Sequence, residues 1–192
     1  MPELTLEHIN FNERLIILDR DGVINYDSDN YIRSPQEWNP IPNSLQAIAR
    51  LNQAGFRVAI ATNQSGIGRG YYTEEVLASI HKKMLDLLAL EGGKIDIIFY
   101  CPHLPSDHCE CRKPKPGLLH QIAHHFQCTS LANIPFIGDS ACDIDAAIAA
   151  HALPIHITPQ SSLNHPYPHF YNLNDAVNAI LAALEKRRTL SK

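Results

Sequence analysis

The sequence predicts an α/β fold in which one parallel sheet lies between two layers of helices, and three observations point to it. Short apolar runs rich in β-branched residues alternate with amphipathic stretches. The spacing leaves room for a helix between successive runs, as the crossover connections of parallel strands require. Polar turns follow the first, second and fourth runs, where a parallel sheet places its ligands.

Residues 15–18 read as the first strand. Leu45, Ile48 and Leu51 then recur at helical spacing, with Gly55 as a stop. Residues 58–61 form the second strand. In the helix that follows, Thr73 is the N-cap, Glu74 and Glu75 occupy the first turn, and Val76, Leu77, Ile80, Met84, Leu87 and Leu88 make the apolar face. Gly92 and Gly93 end it. Residues 95–100, 134–137 and 155–157 supply three more strands. A last helix starts near Asn174, turns Val177, Ile180, Leu181 and Leu184 inward, and carries Lys186, Arg187 and Arg188 toward its C-terminus, where they complement the helix dipole. Two stretches, 25–43 and 101–117, read as loops long enough to be functional. The residues from Gln160 to Leu173 carry no pattern.

Size and charge narrow the functions. At roughly 150 residues per domain, 192 residues predict a single domain spanning 1–192. With 45% apolar residues, such a chain builds a core without disulfide or metal staples. A net charge of -4 has the wrong sign for general affinity to phosphate polymers, so nucleic acid is not an expected partner. The first residues lack the apolar core of a signal peptide, and no stretch approaches the roughly 18 apolar residues of a membrane span. A cytoplasmic protein without membrane contact is expected, with a monomer as the simplest assembly. Of five cysteines, Cys101, Cys109 and Cys111 fall within eleven residues of one another beside His103, which fits reduced thiols and a metal better than a disulfide framework.

The strand ends carry the chemistry. The first strand runs into Asp19-Arg20-Asp21-Gly22, the second into Thr62-Asn63-Gln64-Ser65-Gly66, and the fourth into Gly138-Asp139-Ser140-Ala141-Cys142-Asp143. In extended backbone Asp19 and Asp21 share a side and Arg20 points away, while Gly22 permits a tight turn. Converging carboxylates repel unless a cation or raised pKa values relieve them. Oxygen-only ligands suggest Mg²⁺, which binds one or two carboxylates and shares its remaining positions with water and phosphate. An Asp after a strand also serves as a turn former or N-cap, and for Asp143 taken alone that reading is about as good as a functional one.

Asp19-Arg20-Asp21-Gly22, Thr62-Asn63-Gln64, Lys113 and Gly138-Asp139 together resemble the four motifs of the haloacid dehalogenase superfamily of phosphohydrolases, over roughly residues 14–158. The resemblance implies a Rossmann-like three-layer sandwich with a central parallel sheet; no insertion between the motifs is long enough for a large cap domain. It implies Asp19 as a nucleophile that becomes an aspartyl-phosphate, and Asp21 as the acid that protonates the leaving oxygen and then activates water. Such a residue should have a pKa nearer neutrality than a free Asp. Mg²⁺ is implied between the Asp19 side chain, the Asp21 backbone carbonyl and Asp139, with Thr62 and Lys113 on phosphoryl oxygens. A narrower resemblance, carried by residues 62–70, Cys101-Pro102-His103 and Cys109-Glu110-Cys111-Arg112-Lys113-Pro114, is to heptose-bisphosphate phosphatases, with histidinol-phosphate phosphatases as near relatives. The Ser65-Gly66-Ile67-Gly68-Arg69-Gly70 continuation favours the former and a phosphorylated sugar as substrate.

Cys101, His103, Cys109 and Cys111 make a plausible closed tetrahedral set for structural Zn²⁺ in a loop at 101–111, and the family resemblance implies the same. His108 competes as a ligand, and reduced surface thiols are the alternative. Cys128 and Cys142 read as small buried hydrophobes. Residues 25–34, where the resemblance places a flap over the site, offer Asp27, Ser28, Asp29 and Asn30 to sugar hydroxyls, although a solvated turn has the same composition. Asn63, Gln64 and Ser65 share the strand edge and are expected substrate contacts. The planar fork of Arg112 suits a second phosphate. Ser140 stands where relatives often carry Lys; it can hydrogen-bond a phosphate but brings no charge. Two further readings compete: a polynucleotide 3′-phosphatase, opposed by the acidic balance, and a non-catalytic zinc-stabilised module, opposed by the complete motif set.

Overall fold

The computed structural model describes residues 5–159 and 166–190. In chain order these form β1 (Leu15–Leu18), α1 (Ser44–Gln53), β2 (Arg57–Asn63), α2 (Ser65–Gly68), α3 (Glu74–Leu90), β3 (Ile97–Cys101), α4 (Gly117–His125), β4 (Pro135–Gly138), α5 (Ala141–Ala149), β5 (Leu153–Ile157), β6 (His169–Phe170) and α6 (Leu173–Leu190). The strands make one sheet in the order β3-β2-β1-β4-β5-β6, and every pairing in it is parallel.

Alternation along the strands divides the core. Ile16, Leu18, Val58 and Ile60 face the side covered by α1, α3 and α6, and Leu15, Ile17, Ala59 and Ala61 face the side covered by α4 and α5. Each buried aliphatic side chain contributes about 1.5–3 kcal/mol, so packing on the sheet holds the helices in place. Thr73 caps α3 by accepting the Val76 N–H at 3.4 Å, and Gly55, at φ +89°, turns the chain from α1 into β2. The expected α/β layering and these helix boundaries match the structure.

Some details differ. The two-residue β6 and the single-turn α2 are too short to leave a periodic signal. The unpatterned stretch from Gln160 to Leu173 contains β6, and residues 160–165 of it lie outside the described residues. Cys142 is exposed and Cys128 half-buried, contrary to the reading of both as buried hydrophobes. Cys142 shares the outer face of α5 with Asp145 and Ala149, at i+3 and i+7, and that helix turns Ile144, Ala146 and Ala147 inward.

The chain runs outward from β1 through β2 to β3, then returns to the other side of β1 to build β4, β5 and β6. Strand order therefore reverses at the β1/β4 pair, and a crevice opens at the carboxyl ends of the strands there.

Candidate active site

A cleft of about 370 Å³ lies over that reversal, lined by residues from the ends of β1, β2 and β4, from the flap and from the loop before α4. Asp19 continues β1, its N–H donating to the Ile137 carbonyl of β4 at 2.9 Å. Gly22, at φ +77°, lets the following turn close tightly. A Cβ there would lie 1.9 Å from Asp139 Oδ2, so only glycine lets that carboxylate approach.

Lys113 reaches this edge from the loop preceding α4. Its Nζ donates to Asp19 Oδ1 at 2.7 Å and to the Ala61 carbonyl at 2.8 Å, and lies 2.5 Å from Asp143 Oδ1. Burial works to lower the lysine pKa, but Asp19 and Asp143 outweigh it and keep the ammonium charged. Burial raises the Asp19 carboxyl to about 8; Lys113 opposes this, and Asp143 and Asp21 add to it. Asp139 is raised to about 6 by burial and then by Asp143 and Asp27.

Such a cluster suits a cation. Asp19, Asp139 and Asp143 each present a carboxylate oxygen, all within 4.8 Å of one another, and edges and diagonals of about 3–4 Å are what an octahedral hard cation needs at 2.0–2.1 Å per ligand. The residues present therefore fit Mg²⁺. The side chain of Asp21 is not in the cluster, in keeping with a contribution from its backbone carbonyl alone. Asp143 is the member that sequence reading left out of the site. Its Oδ2 accepts from the Ser140 hydroxyl at 2.6 Å and from the Ser140 N–H at 3.1 Å, while its own N–H donates back to Ser140 Oγ. The Ser-x-x-Asp spacing of that capping box was the available signal.

Asp21 corrects one expectation. Its Oδ1 accepts from Arg20 Nη2 at 2.9 Å and from Asn25 Nδ2 at 2.8 Å; Oδ2 accepts from Arg20 Nη2 at 3.0 Å and from Gln64 Nε2 at 2.8 Å. Arg20 leaves the strand on the opposite side, as alternation requires, but its long side chain folds back instead of pointing away. Burial works to raise the Asp21 carboxyl, yet the guanidinium and these donors outweigh it and hold it below the ordinary carboxylate value, not near neutrality.

The other expected residues divide into two groups. Asp27, Ser28, Asp29, Thr62, Asn63, Gln64, Ser65, Arg112 and Ser140 all line the cleft. Asn30 is not among its lining residues; its carbonyl accepts from Arg33 Nε and its N–H donates to Ser28 Oγ, bracing the flap. Several lining groups are already occupied. Asn63 exchanges two hydrogen bonds with the Lys113 backbone, both at 3.1 Å. Gln64 donates to Asp21 and Thr62 and accepts from Tyr72 and Arg20. These two amides act as ties within the site, whereas Thr62 accepts from Gln64 and keeps its hydroxyl proton to donate.

The cysteine loop converges as well. Sγ atoms of Cys101, Cys109 and Cys111 lie 3.3 to 3.6 Å apart, and His103 Nδ1 is 3.2 Å from Cys111 and 3.6 Å from Cys101. A disulfide would be near 2.05 Å, whereas a zinc tetrahedron with bonds of about 2.3 Å has edges near 3.8 Å. The set fits zinc, and His108 is not in it. Arg112 and Lys113 follow Cys111 directly, and Arg112 Nη1 donates to the His103 carbonyl at 3.3 Å.

Comparison with known proteins agrees with this architecture. The family model for "Polynucleotide kinase 3 phosphatase" matches residues 14–182. The D-glycero-beta-D-manno-heptose-1,7-bisphosphate 7-phosphatase of Pseudomonas aeruginosa is 50% identical, over 88% of this chain and 97% of its own. The enzyme of that name from Pseudomonas putida is 54% identical, over 74% and 81%. The crystal structure of the D,D-heptose 1,7-bisphosphate phosphatase of B. bronchiseptica, complexed with magnesium and phosphate, superposes with a TM-score of 0.82 at 44% identity, covering 88% of this chain and 98% of that one. Fold and site together define a phosphatase of the haloacid dehalogenase superfamily. Within it, the chain belongs to the family of the D-glycero-beta-D-manno-heptose-1,7-bisphosphate 7-phosphatases.

Proposed function

We propose that this protein is a Mg²⁺-dependent phosphatase that removes the 7-phosphate of D-glycero-D-manno-heptose 1,7-bisphosphate, in the making of heptose precursors for surface glycans. The observation that carries the reading is the ion pair of buried Lys113 with Asp19 inside the carboxylate cluster, in a chain that covers 97% of a curated relative of that name.

Asp19 is the nucleophile. Lys113 holds its Oδ1, so Oδ2 attacks phosphorus, the ester bond breaks, and its electron pair passes to the sugar oxygen. Asp21 protonates that oxygen and afterwards takes a proton from the water that hydrolyses the aspartyl-phosphate. In its present hydrogen bonds Asp21 is ionised, which suits the second step; the first needs a proton on it, and so release of the Gln64 amide from Oδ2 when the ester enters, with Arg20 still holding Oδ1. Thr62 donates to one phosphoryl oxygen and Lys113 neutralises another, compensating charge in the transition state. Mg²⁺ held by Asp19, Asp139, Asp143 and the Asp21 carbonyl would supply further electrostatic stabilisation there. Asp27, Ser28, Asp29 and Ser65 face the sugar, and the remaining N–H groups of Arg112 take the distal phosphate. Ser140 Oγ, committed to Asp143 as a donor, can only accept from the substrate. Zinc on Cys101, His103, Cys109 and Cys111 is structural and fixes the segment from which Arg112 and Lys113 project.

We take the chain as one catalytic domain acting as a monomer in the cytoplasm; no helix among the described residues is long and apolar enough to cross a membrane. The test is Mg²⁺-dependent phosphate release from heptose 1,7-bisphosphate and histidinol phosphate in parallel. Selective turnover of the bisphosphate, abolished in Asp19→Asn, supports the reading. Preference for histidinol phosphate replaces the substrate, and release from neither overturns the assignment.

A further inference from the structure

Behind the carboxylate edge lies a polar chain that the mechanism above does not use. Arg20 is 1% exposed, and its guanidinium meets Asp21 on one side. On the other, Nη1 lies 3.2 Å from Nε2 of His81, which belongs to α3 and is 61 positions away. His81 sits within the buried face formed by Leu77, Ile80, Met84 and Leu88, where it is the polar member. A guanidinium only donates, so Nε2 must accept and the ring is neutral with its proton on Nδ1. Burial and then Arg20 push the His81 pKa down to about 3, consistent with that neutral ring.

We propose that His81 is a positioning residue for phosphoryl transfer, acting through Arg20 to fix the orientation of the Asp21 carboxyl toward the leaving oxygen. The inference rests on the reading of Asp21 as acid and base. A buried polar side chain in an apolar helix face costs stability unless it is hydrogen-bonded, and here its bond goes to the residue that aims Asp21. The carboxylate is gripped from two directions, by Arg20 and by Asn25 with Gln64. Nη2 also donates to Gln64 Oε1 at 3.2 Å, but without His81 Nη1 loses its partner, and a functional group must be held within about 0.5 Å and 10–20°.

The leaving group distinguishes positioning from general support of the fold. When the phosphorus–oxygen bond breaks, a sugar alkoxide needs the proton of Asp21; 4-nitrophenolate leaves without one. We therefore compare kcat/KM for heptose 1,7-bisphosphate and 4-nitrophenyl phosphate within each preparation, so that the ratio is independent of the fraction of folded enzyme. His81→Leu should lower the sugar-to-aryl ratio by about 10-fold or more, a part of the 10²–10⁴ that acid–base catalysis supplies. His81→Gln, whose amide oxygen can accept from Arg20, should restore the ratio to within about threefold of wild type. Arg20→Lys, which keeps charge but loses the fork, should behave like His81→Leu and serves if the leucine variant does not fold. Equal losses on both esters, or no restoration by glutamine, would overturn the proposal. Asp19→Asn separates the two levels: if it still turns over both esters, the reading of Asp19 as nucleophile with Asp21 as its acid and base falls and this inference with it, whereas an inactive Asp19→Asn beside an unchanged His81→Leu ratio overturns the inference alone.

Discussion

Lys113 Nζ lies 2.7 Å from Asp19 Oδ1 across 94 positions of sequence, and both side chains are buried. The same ammonium meets Asp143, so one cation holds two carboxylates at the strand edge. In Lys113→Met both carboxylates lose that partner. Loss of a buried partner costs about 3–5 kcal/mol, and loss of a charge-stabilising donor lowers kcat about 10²- to 10³-fold. Urea unfolding and steady-state kinetics check the two effects. A variant with wild-type stability and kcat would remove Lys113 from the account.

Asp143 should matter as much as the residues of the recognised motifs. With Asp19 and Asp139 it completes the oxygen cluster, so Mg²⁺ should raise the melting temperature of the wild type through preferential binding to the folded state. Asp139→Asn and Asp143→Asn should each shrink that rise and weaken the Mg²⁺ dependence of turnover. Titration of melting temperature with Mg²⁺ measures this, and an undiminished rise in Asp143→Asn would exclude it from the site.

Removal of zinc should lower both stability and activity. The loop at 101–111 contributes Cys101 to the core, with Cys109 and Cys111 half-buried against it and His103 exposed, so a zinc ion on these four would tie the exposed part of the loop to its buried end. Asn63 holds the Lys113 backbone on the other side, but Arg112 depends on the His103 carbonyl. Metal analysis should find zinc bound stoichiometrically, and chelation or Cys109→Ser should raise KM for the bisphosphate. Unchanged kinetics in zinc-free protein would sink this idea.

His81 makes the fold sensitive to acid in a calculable way. Its folded pKa, about 3, is depressed below the unfolded value near 6.5. The native state thus binds fewer protons, and the stability is present above pH 6.5 and lost as pH falls toward 3. By pH 4 the loss is about 3 kcal/mol. Urea midpoints at pH 7 and pH 4 should therefore separate less in His81→Gln than in wild type. Parallel behaviour would mean that the ring is not held neutral in the fold.

Much of this was legible because it is local. The apolar runs of β1 and β2, the Thr73 cap, and the Asp19, Thr62, Lys113 and Asp139 motifs each sit in a few consecutive residues whose spacing sets their direction. What stayed hidden depends on side chains meeting across the fold. Asp143 read equally well as a turn former because it has a local role too: from the third position of α5 its carboxylate accepts the Ser140 N–H in the capping box, and it pairs with Lys113 at once. Asn63 and Gln64 looked like substrate contacts from their place on the strand edge, yet their amides are committed to Lys113, Asp21 and Thr62. The low Asp21 pKa follows from Arg20 curling back, which alternation along a strand does not show. His81 had one visible signal, a polar residue at i+4 from Leu77 and i-3 from Met84 on an apolar face.

If this site cleaves the 7-phosphate of a heptose bisphosphate, phosphorus NMR of the reaction will show which phosphate is lost. With Mg²⁺ and the wild-type protein, the 7-phosphate resonance of heptose 1,7-bisphosphate should vanish as inorganic phosphate grows, leaving the 1-phosphate intact. Loss of the 1-phosphate, or a spectrum that does not change, would show that this site is not a heptose-bisphosphate 7-phosphatase.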